Sequence, residues 1–237
     1  MAVSVLTTPT STSTTAPANP YTSFTHTCTA GSDRLLLLFI GVGDGASSRL
    51  TDAAPTYGGQ TMTRIGSGAD DGVWVGVDVW YLKETGIAAA SSATFSIDTQ
   101  AAGNVWGDQL GVGAVCLAGV DQTTPIDTGS VQTNIAGGTS ASVTVTGAAG
   151  NLIVAALMSD NEGGVTENRT ALFETAVIDS DTIAAAQYTT LDGSIAMTWT
   201  QGSNGFAVIG FEVNAAAGGG GASVVPILMN HFRQRRA

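Results

Sequence analysis

The chain of 237 residues has little charge, and most of what it has is negative. Charged residues make up 11% of the sequence, with one lysine and five glutamates, so the residues that usually cover exposed helices are scarce. Threonine, valine, aspartate and 31 glycines favour strands and turns instead. A net charge of −11 argues against a basic surface for nucleic acid, and a hydrophobic content of 43% argues against charge-driven disorder.

Histidine is also rare, which removes most catalytic and metal-binding arrangements. The two histidines, His26 and His231, have no partners at catalytic or ligand spacing. No nucleophile elbow, zinc-binding helix motif or phosphate-binding loop is present. We therefore expect no catalytic residue, no metal site, no cofactor and no enzymatic activity. Acidic residues predicted to lie in loops are typical turn residues, with calcium binding or a paired-acid glycosidase as alternatives; they are Asp70-Asp71, Asp160-Asn-Glu162 and Asp179-Ser-Asp181.

The two cysteines, Cys28 and Cys116, lie far apart and form no metal-binding pattern. We expect two buried thiols in strands, with a single disulfide as the alternative. The N-terminus lacks the basic and apolar regions of a secretory signal, and the longest apolar run, residues 35–40, is too short to span a bilayer. These features predict a soluble protein made in the cytoplasm, without a membrane partner.

Short apolar or alternating segments separated by turn residues fill residues 24–214 and predict an all-β domain. Residues 35–40 and 152–158 are continuous apolar runs, whereas residues 73–82 alternate strictly. About eleven or twelve strands are predicted, among them residues 194–200 and 206–213, and their spacing favours a jelly-roll-like antiparallel β-sandwich. Residues 1–23 are predicted to form a short strand and an extended, poorly packed Thr/Pro-rich arm, and residues around 87–93 the only short helix.

A weak internal similarity relates the two halves of this domain. An apolar strand follows a polar turn at Asp33-Arg34 and again at Gly150-Asn151, and similar segments follow each of them. The halves are either two Greek-key parts of one jelly roll or two small sandwiches. The first alternative is favoured, because no linker separates residues 120 and 150 and each half is small for its own closed core.

The C-terminal end differs in composition from the rest of the chain. Residues 1–214 carry a net charge of −14, whereas residues 215–237 contain three arginines and no acid. A Gly/Ala linker at 215–223 precedes an apolar and basic peptide at 224–237. An exposed end is the simplest alternative, but the pattern favours docking onto a protein partner through apolar anchors and arginine ion pairs. The predicted partner-binding residues are Val224, Val225, Pro226, Ile227, Leu228, Met229, Phe232, Arg233, Arg235 and Arg236.

Tryptophans form a second group of candidate binding residues. Trp74 and Trp80 lie on one face of a predicted strand, opposite a face of valines that is the better core candidate. Together with Trp106 they are candidates for stacking on a glycan. The alternative is that they pack under covering loops or a neighbouring sheet.

Three stretches resemble a known group of proteins. Pro55-Thr-Tyr-Gly-Gly-Gln-Thr-Met-Thr-Arg-Ile65, Val79-Trp-Tyr-Leu82 and Ala118-Gly-Val-Asp-Gln-Thr-Thr-Pro-Ile126 are together similar to β-sandwich modules of tailed-phage structural proteins and of some bacterial surface proteins. The resemblance covers roughly residues 30–213. It implies a virion or adhesive role and carries over no active-site residue.

Combined with the absence of an export signal, the resemblance favours a phage protein. We expect a non-enzymatic virion subunit assembled in the host cytoplasm and anchored to neighbouring subunits through its termini, with head decoration or cement protein as the leading hypothesis. Its partners would be the major capsid or neck/tail subunits and further copies of itself on the particle. The alternative is a carbohydrate- or receptor-binding module of a phage tail, a fibre or a bacterial surface protein.

Overall fold

The computed structural model describes residues 1–15, 17–43, 53–70, 75–98, 100–101, 104–105, 109–160, 164–175 and 182–217. Regular structure in these ranges is almost entirely strand, with one short helix, α1 (Glu84–Ala89). The strands are β1 (Ser4–Val5), β2 (Thr10–Thr15), β3 (Leu35–Gly43), β4 (Thr56–Tyr57), β5 (Gln60–Thr61), β6 (Thr63–Asp70), β7 (Val75–Lys83), β8 (Phe95–Ser96), β9 (Gln100–Ala101), β10 (Asn104–Val105), β11 (Gln109–Ala118), β12 (Ile126–Gly147), β13 (Leu152–Asp160), β14 (Thr166–Glu167), β15 (Thr170–Glu174), β16 (Thr182–Thr189) and β17 (Gly193–Val213).

Two six-stranded antiparallel sheets stack on each other and form a β-sandwich, so the predicted fold class is confirmed. The first sheet has the order β1-β11-β3-β7-β6, with β2 also paired to β11, and the second has the order β12-β17-β13-β16-β15, with β14 paired to β17. Alternate residues of the central strands face inward. Leu35, Leu37 and Phe39 on β3 thereby share a buried core with Val154 and Ala156 on β13.

Each half of the chain forms one sheet, and both halves use the same strand order. When the five main strands of each sheet are numbered in chain order, both sheets have the spatial order first, fifth, second, fourth, third. These orders are β2-β11-β3-β7-β6 and β12-β17-β13-β16-β15. The edge strand β6 packs against β12, and β2 packs against β15, so the two sheets are related by an approximate twofold axis. The internal similarity in the sequence therefore corresponds to two sheets around one shared core.

The outer face of the first sheet is buried as well. Leu36, Leu38 and Ile40 point away from the central core and pack under residues 21–28, the small sheet β5-β4-β8 and α1. This second core explains why β3 is apolar at every position, since strands that are buried on both faces lose the alternation of apolar and polar residues.

The outer face of the second sheet is covered by the far ends of its own two longest strands. Residues 140–147 of β12 pair with residues 193–200 of β17 and fold back over the sheet, where Val143 and Val145 lie against Gly210. The fold-back coincides with a register shift between Gly138 and Ser140. Buried Gln201 holds the bend, because it accepts a 2.6 Å hydrogen bond from Ser159 Oγ and donates to the Gly138 carbonyl at 2.9 Å.

Several boundaries differ from those predicted from the sequence. The N-terminal arm was expected to be poorly packed, but β2 forms the edge of the first sheet along β11. The predicted strands at 194–200 and 206–213 belong to one strand, β17, and α1 begins three residues before the predicted helical segment. The first residues of the predicted linker are fixed, since Ala215 pairs with Val120.

Candidate functional site

The predicted partner-binding residues, at 224–237, lie outside the described residues, so their docking role stays a prediction. The structure does show where the C-terminal segment leaves the sandwich. The Ala216 N–H donates a 2.7 Å hydrogen bond to the Gly119 carbonyl, and the amino group of Met1 donates one of 3.2 Å to the Ala216 carbonyl. The N-terminus and the start of the C-terminal segment therefore lie side by side, at a place that we call the terminal corner (residues 1–3, 119–121, 148–151 and 214–216).

A buried polar network makes the terminal corner rigid. The carboxylate of Glu212 is buried and accepts hydrogen bonds from the Ala148 N–H and from Asn151 Nδ2, the latter at 2.7 Å. Asn151 Oδ1 in turn accepts a 2.8 Å hydrogen bond from the Ala215 N–H, and Asn214 Nδ2 donates to the Thr124 carbonyl at 2.8 Å. These bonds fix both the turn at 148–151 and the departure of the chain at 214–216.

The N-terminal arm, Met1–Thr15, is bound along the length of β11. Its strands β1 and β2 pair with the two ends of β11, and the residues between them are held at Cys116. The N–H groups of Leu6 and Thr7 donate to the Cys116 carbonyl at 2.8 and 3.3 Å, and Thr7 Oγ1 accepts the Cys116 N–H at 3.1 Å. The threonine hydroxyl thus takes the place of a backbone acceptor where the ladder is interrupted.

His26 connects this arm to the layer that covers the first sheet. Its Nε2 is 2.9 Å from Thr7 Oγ1, and its Nδ1 is 2.9 Å from Thr10 Oγ1. Burial lowers the pKa of His26 to about 4, so the ring is neutral at pH 7. Threonines of the arm and of residues 25–29 line an open groove of about 500 Å³ beside it. With only hydroxyls as partners, the ring serves to hold the arm.

The two cysteines form a disulfide, so the expectation of buried free thiols was wrong and the alternative is the one observed. Cys28 and Cys116 are 88 residues apart in sequence, and their Cα atoms lie 5.5 Å apart. The bond joins the end of the covering segment 21–28 to β11. Nothing in the spacing of the cysteines indicated that the two segments meet, because the contact depends on how the covering layer folds over the sheet.

Trp80 is not available for stacking on a glycan, which corrects that prediction for this residue. Its side chain is 5% exposed within the outer core of the first sheet. The guanidinium carbon of Arg64 lies 4.6 Å from the ring centroid, and Arg64 also bonds to the buried carboxylate of Asp78 at 3.0 Å. Trp80 therefore packs under a covering layer, which was the alternative to glycan stacking. Trp74 and Trp106 lie outside the described residues.

Acidic side chains do not converge on a metal site in the described part of the chain, where no cluster of three or more His, Cys, Asp or Glu residues has suitable geometry. Burial and the nearby charge of Glu167 raise the pKa of the Glu174 side chain on β15. Asp70 and Asp160, which were predicted to lie in loops, are the last residues of β6 and β13. The other acids of the predicted loops, Asp71, Glu162, Asp179 and Asp181, lie outside the described residues.

The residues on which the resemblance to phage β-sandwich modules rests form turns and the hydrogen bonds that hold loops in place. Gly58 and Gly59 have φ values of 53° and 84°, which allow the tight turn between β4 and β5. The carboxylate of Asp121 accepts the N–H groups of Thr123 and Thr124, which lowers its pKa. The side chain of Gln122 completes this region, because it accepts from the Glu84 N–H at 3.0 Å and donates to the Arg34 carbonyl at 3.1 Å.

Arg34 and Glu84 add an ion pair at the same place, 2.5 Å apart, with the Arg34 N–H also bonded to the carboxylate at 2.9 Å. These hydrogen bonds lower the pKa of Glu84 and raise that of Arg34.

No described helix is long and apolar enough to cross a membrane. Comparisons with family models, with curated proteins and with solved structures found no match to the chain.

Proposed function

We propose that the protein is a non-enzymatic structural subunit of a bacteriophage particle, a head decoration or cement protein that neighbouring virion subunits hold through its C-terminal segment. The observation that carries this proposal is the terminal corner. Met1 and Ala216 are hydrogen-bonded to each other there, so the last described residues of the chain lie beside its N-terminus, and 20 residues follow them in the sequence. A subunit built in this way attaches at one end and exposes the rest of its surface.

The chemistry of the C-terminal segment supports attachment to protein. Six apolar side chains between Val224 and Phe232 would lose contact with water on docking, at about 1.5–3 kcal/mol for each one fully buried. Arginine forms charge-assisted hydrogen bonds with carboxylates, and the segment contains three arginines among its last five residues. The body of the chain carries a net charge of −14, so the body of a second copy is a suitable acceptor and favours assembly of several copies.

Repetition on a particle explains why one short segment is sufficient. Each copy that docks holds its neighbours at a high effective concentration, so modest individual contacts give stable assembly. The sandwich needs no conformational change for this role. Its two outer faces are already covered by the chain itself, and its surface is acidic.

The test is incorporation into particles when the neighbouring virion proteins are co-expressed. Full-length protein should be incorporated, whereas deletion of residues 224–237 should leave a folded monomer that is not. Two variants of full length separate the contributions: one replaces the six apolar residues by serine, and the other replaces Arg233, Arg235 and Arg236 by glutamine. Cross-linking with mass spectrometry identifies the protein that the segment contacts. Normal incorporation of the truncated, folded chain would contradict the proposal.

A further inference from the structure

The covering layer of the first sheet is joined to that sheet by the only two cysteines of the chain. Cys116 is fully buried on β11, and Cys28 ends the segment that begins at Tyr21. This segment pairs through Tyr21 and Phe24 with residues 95–97, so it belongs to the small outer sheet. The disulfide is therefore a covalent tie between two layers of the molecule.

The N-terminal arm depends on both sides of this tie. Thr7 bonds to Cys116 through its backbone and its hydroxyl, and it bonds to His26 through the same hydroxyl. Thr10 pairs with β11 at Ala114 and also contacts His26. Any displacement of residues 26–28 from β11 would take His26 away from both threonines.

We propose that the Cys28–Cys116 disulfide is an oxidation-dependent lock, which closes when the folded chain leaves a reducing compartment and then fixes the covering segment and the N-terminal arm to the sandwich. Disulfides do not persist in a reducing cytoplasm, so the lock is open where the chain is made and closed in an oxidising medium. The lock concerns the isolated chain and does not depend on attachment to a particle.

The chemistry balances with a small-molecule disulfide as oxidant. The thiolate of one cysteine attacks oxidised glutathione, forms a mixed disulfide and releases one glutathione thiol. The second cysteine then attacks the mixed disulfide, forms the protein bond and releases a second glutathione thiol. The protein loses two electrons and two protons, and glutathione gains them. The second step is intramolecular, and the closed bond places the two Cα atoms 5.5 Å apart, within the usual range for a disulfide.

The first measurement is the thiol content of the full chain. Protein expressed in a reducing cytoplasm and alkylated before lysis should carry two alkyl groups. After incubation with a glutathione redox buffer, the same protein should carry none and should have lost two hydrogens by intact mass. Thiols that stay free in the oxidising buffer, or a bond that is already closed in the reducing cytoplasm, would overturn the proposal.

The second measurement locates the effect by hydrogen exchange. At labelling times of seconds to minutes, reduction should raise amide exchange in residues 1–30 by about tenfold or more, whereas β13, which exchanges only when the whole chain unfolds, should stay protected at those times. The double variant Cys28→Ser with Cys116→Ser should match the reduced protein in both buffers, and Cys28→Ser alone should behave in the same way. Unchanged exchange in residues 1–30, or an equal rise throughout the chain, would overturn the proposal of a local lock.

Discussion

The packing of the two sheets makes a sharp prediction at Gly113, in the centre of β11. A Cβ atom at this position would overlap Cε1 and Cζ of Phe173, on the opposite sheet, so no side chain fits there unless the ring moves. Phe173 cannot move freely, because it is 8% exposed and its ring lies 5.4 Å from that of Phe39. The absence of a side chain at Gly113 therefore provides the space that the Phe173 ring occupies.

The magnitudes follow from two opposing effects. Gly113→Ala should lower the free energy of unfolding by about 1–3 kcal/mol, because the new methyl group displaces the Phe173 ring. Alanine is more stable than glycine in a strand by about 0.5–1 kcal/mol, which offsets part of this loss. Phe173→Ala alone should cost about 3–5 kcal/mol, because it leaves a cavity in the shared core. In the double variant the steric conflict is absent, so Gly113→Ala should become neutral or slightly stabilising.

The assay is urea unfolding of the four proteins, followed by tryptophan fluorescence, with the coupling free energy taken from the double-mutant cycle. We expect a coupling of about 1–3 kcal/mol in favour of the double variant, equal to the relief of the steric conflict. Gly59→Ala is a useful comparison, since no atom lies near its Cβ and only its backbone conformation would oppose the change. If the effects of the two single substitutions add to that of the double variant within about 0.5 kcal/mol, the contact between Gly113 on β11 and Phe173 on β15 is refuted.

Three further changes test other parts of the fold. Replacing Cys28 and Cys116 by serine should lower the free energy of unfolding by about 4–5 kcal/mol for an 88-residue separation, and equal stability of oxidised protein and variant in urea would contradict this. Because the unfolded chain protonates His26 at higher pH than the folded chain does, stability should fall between about pH 6.5 and pH 4 by up to about 3 kcal/mol, and His26→Gln should reduce this slope. Gln201→Ala removes the acceptor of Ser159 and should cost about 1–3 kcal/mol, with an unchanged urea midpoint as the contrary result.

The strands that the sequence predicted correctly are those with a strong apolar signal. Residues 35–40 and 152–158 are continuous apolar runs, and they became β3 and β13, the central strands that are buried on both faces. Residues 73–82 alternate, but the polar-looking face of β7 is also covered, by the outer layer. The alternation of residues therefore predicted the strand correctly but not the burial of its second face. The segments that cover this face come from distant parts of the chain.

The segments that were missed pair mainly through their backbones. Residues 126–141 contain glycine, serine, threonine and asparagine with little alternation, yet they form the first part of the 22-residue strand β12. The arm strand β2 consists of threonine and serine only. In both cases the neighbouring strand supplies the hydrogen-bond ladder, and this tertiary pairing overrides weak local propensity. The same reason accounts for β17, which continues through Gly202–Gly205.

The candidate site divides in the same way. The composition of residues 224–237 indicated a docking segment without reference to any fold, and this remains a prediction. The disulfide and the two threonine contacts of His26 could not be predicted, because each joins residues that are distant in sequence and meet only after the covering layer has folded. The burial of Trp80 under Arg64 depends likewise on the pairing of β6 with β7.

The repeated strand order assigns different roles to the two termini. In the second half, the position next to the fifth strand is filled by the first part of β12, which is an integral strand of its sheet. The arm strand β2 fills the equivalent position in the first half, with His26 and Cys116 holding the residues before it. The arm therefore completes the sandwich, and its removal would leave β11 with an open edge. The segment after Ala217, whose docking onto a partner remains a prediction, follows the last strand of both completed sheets in the sequence.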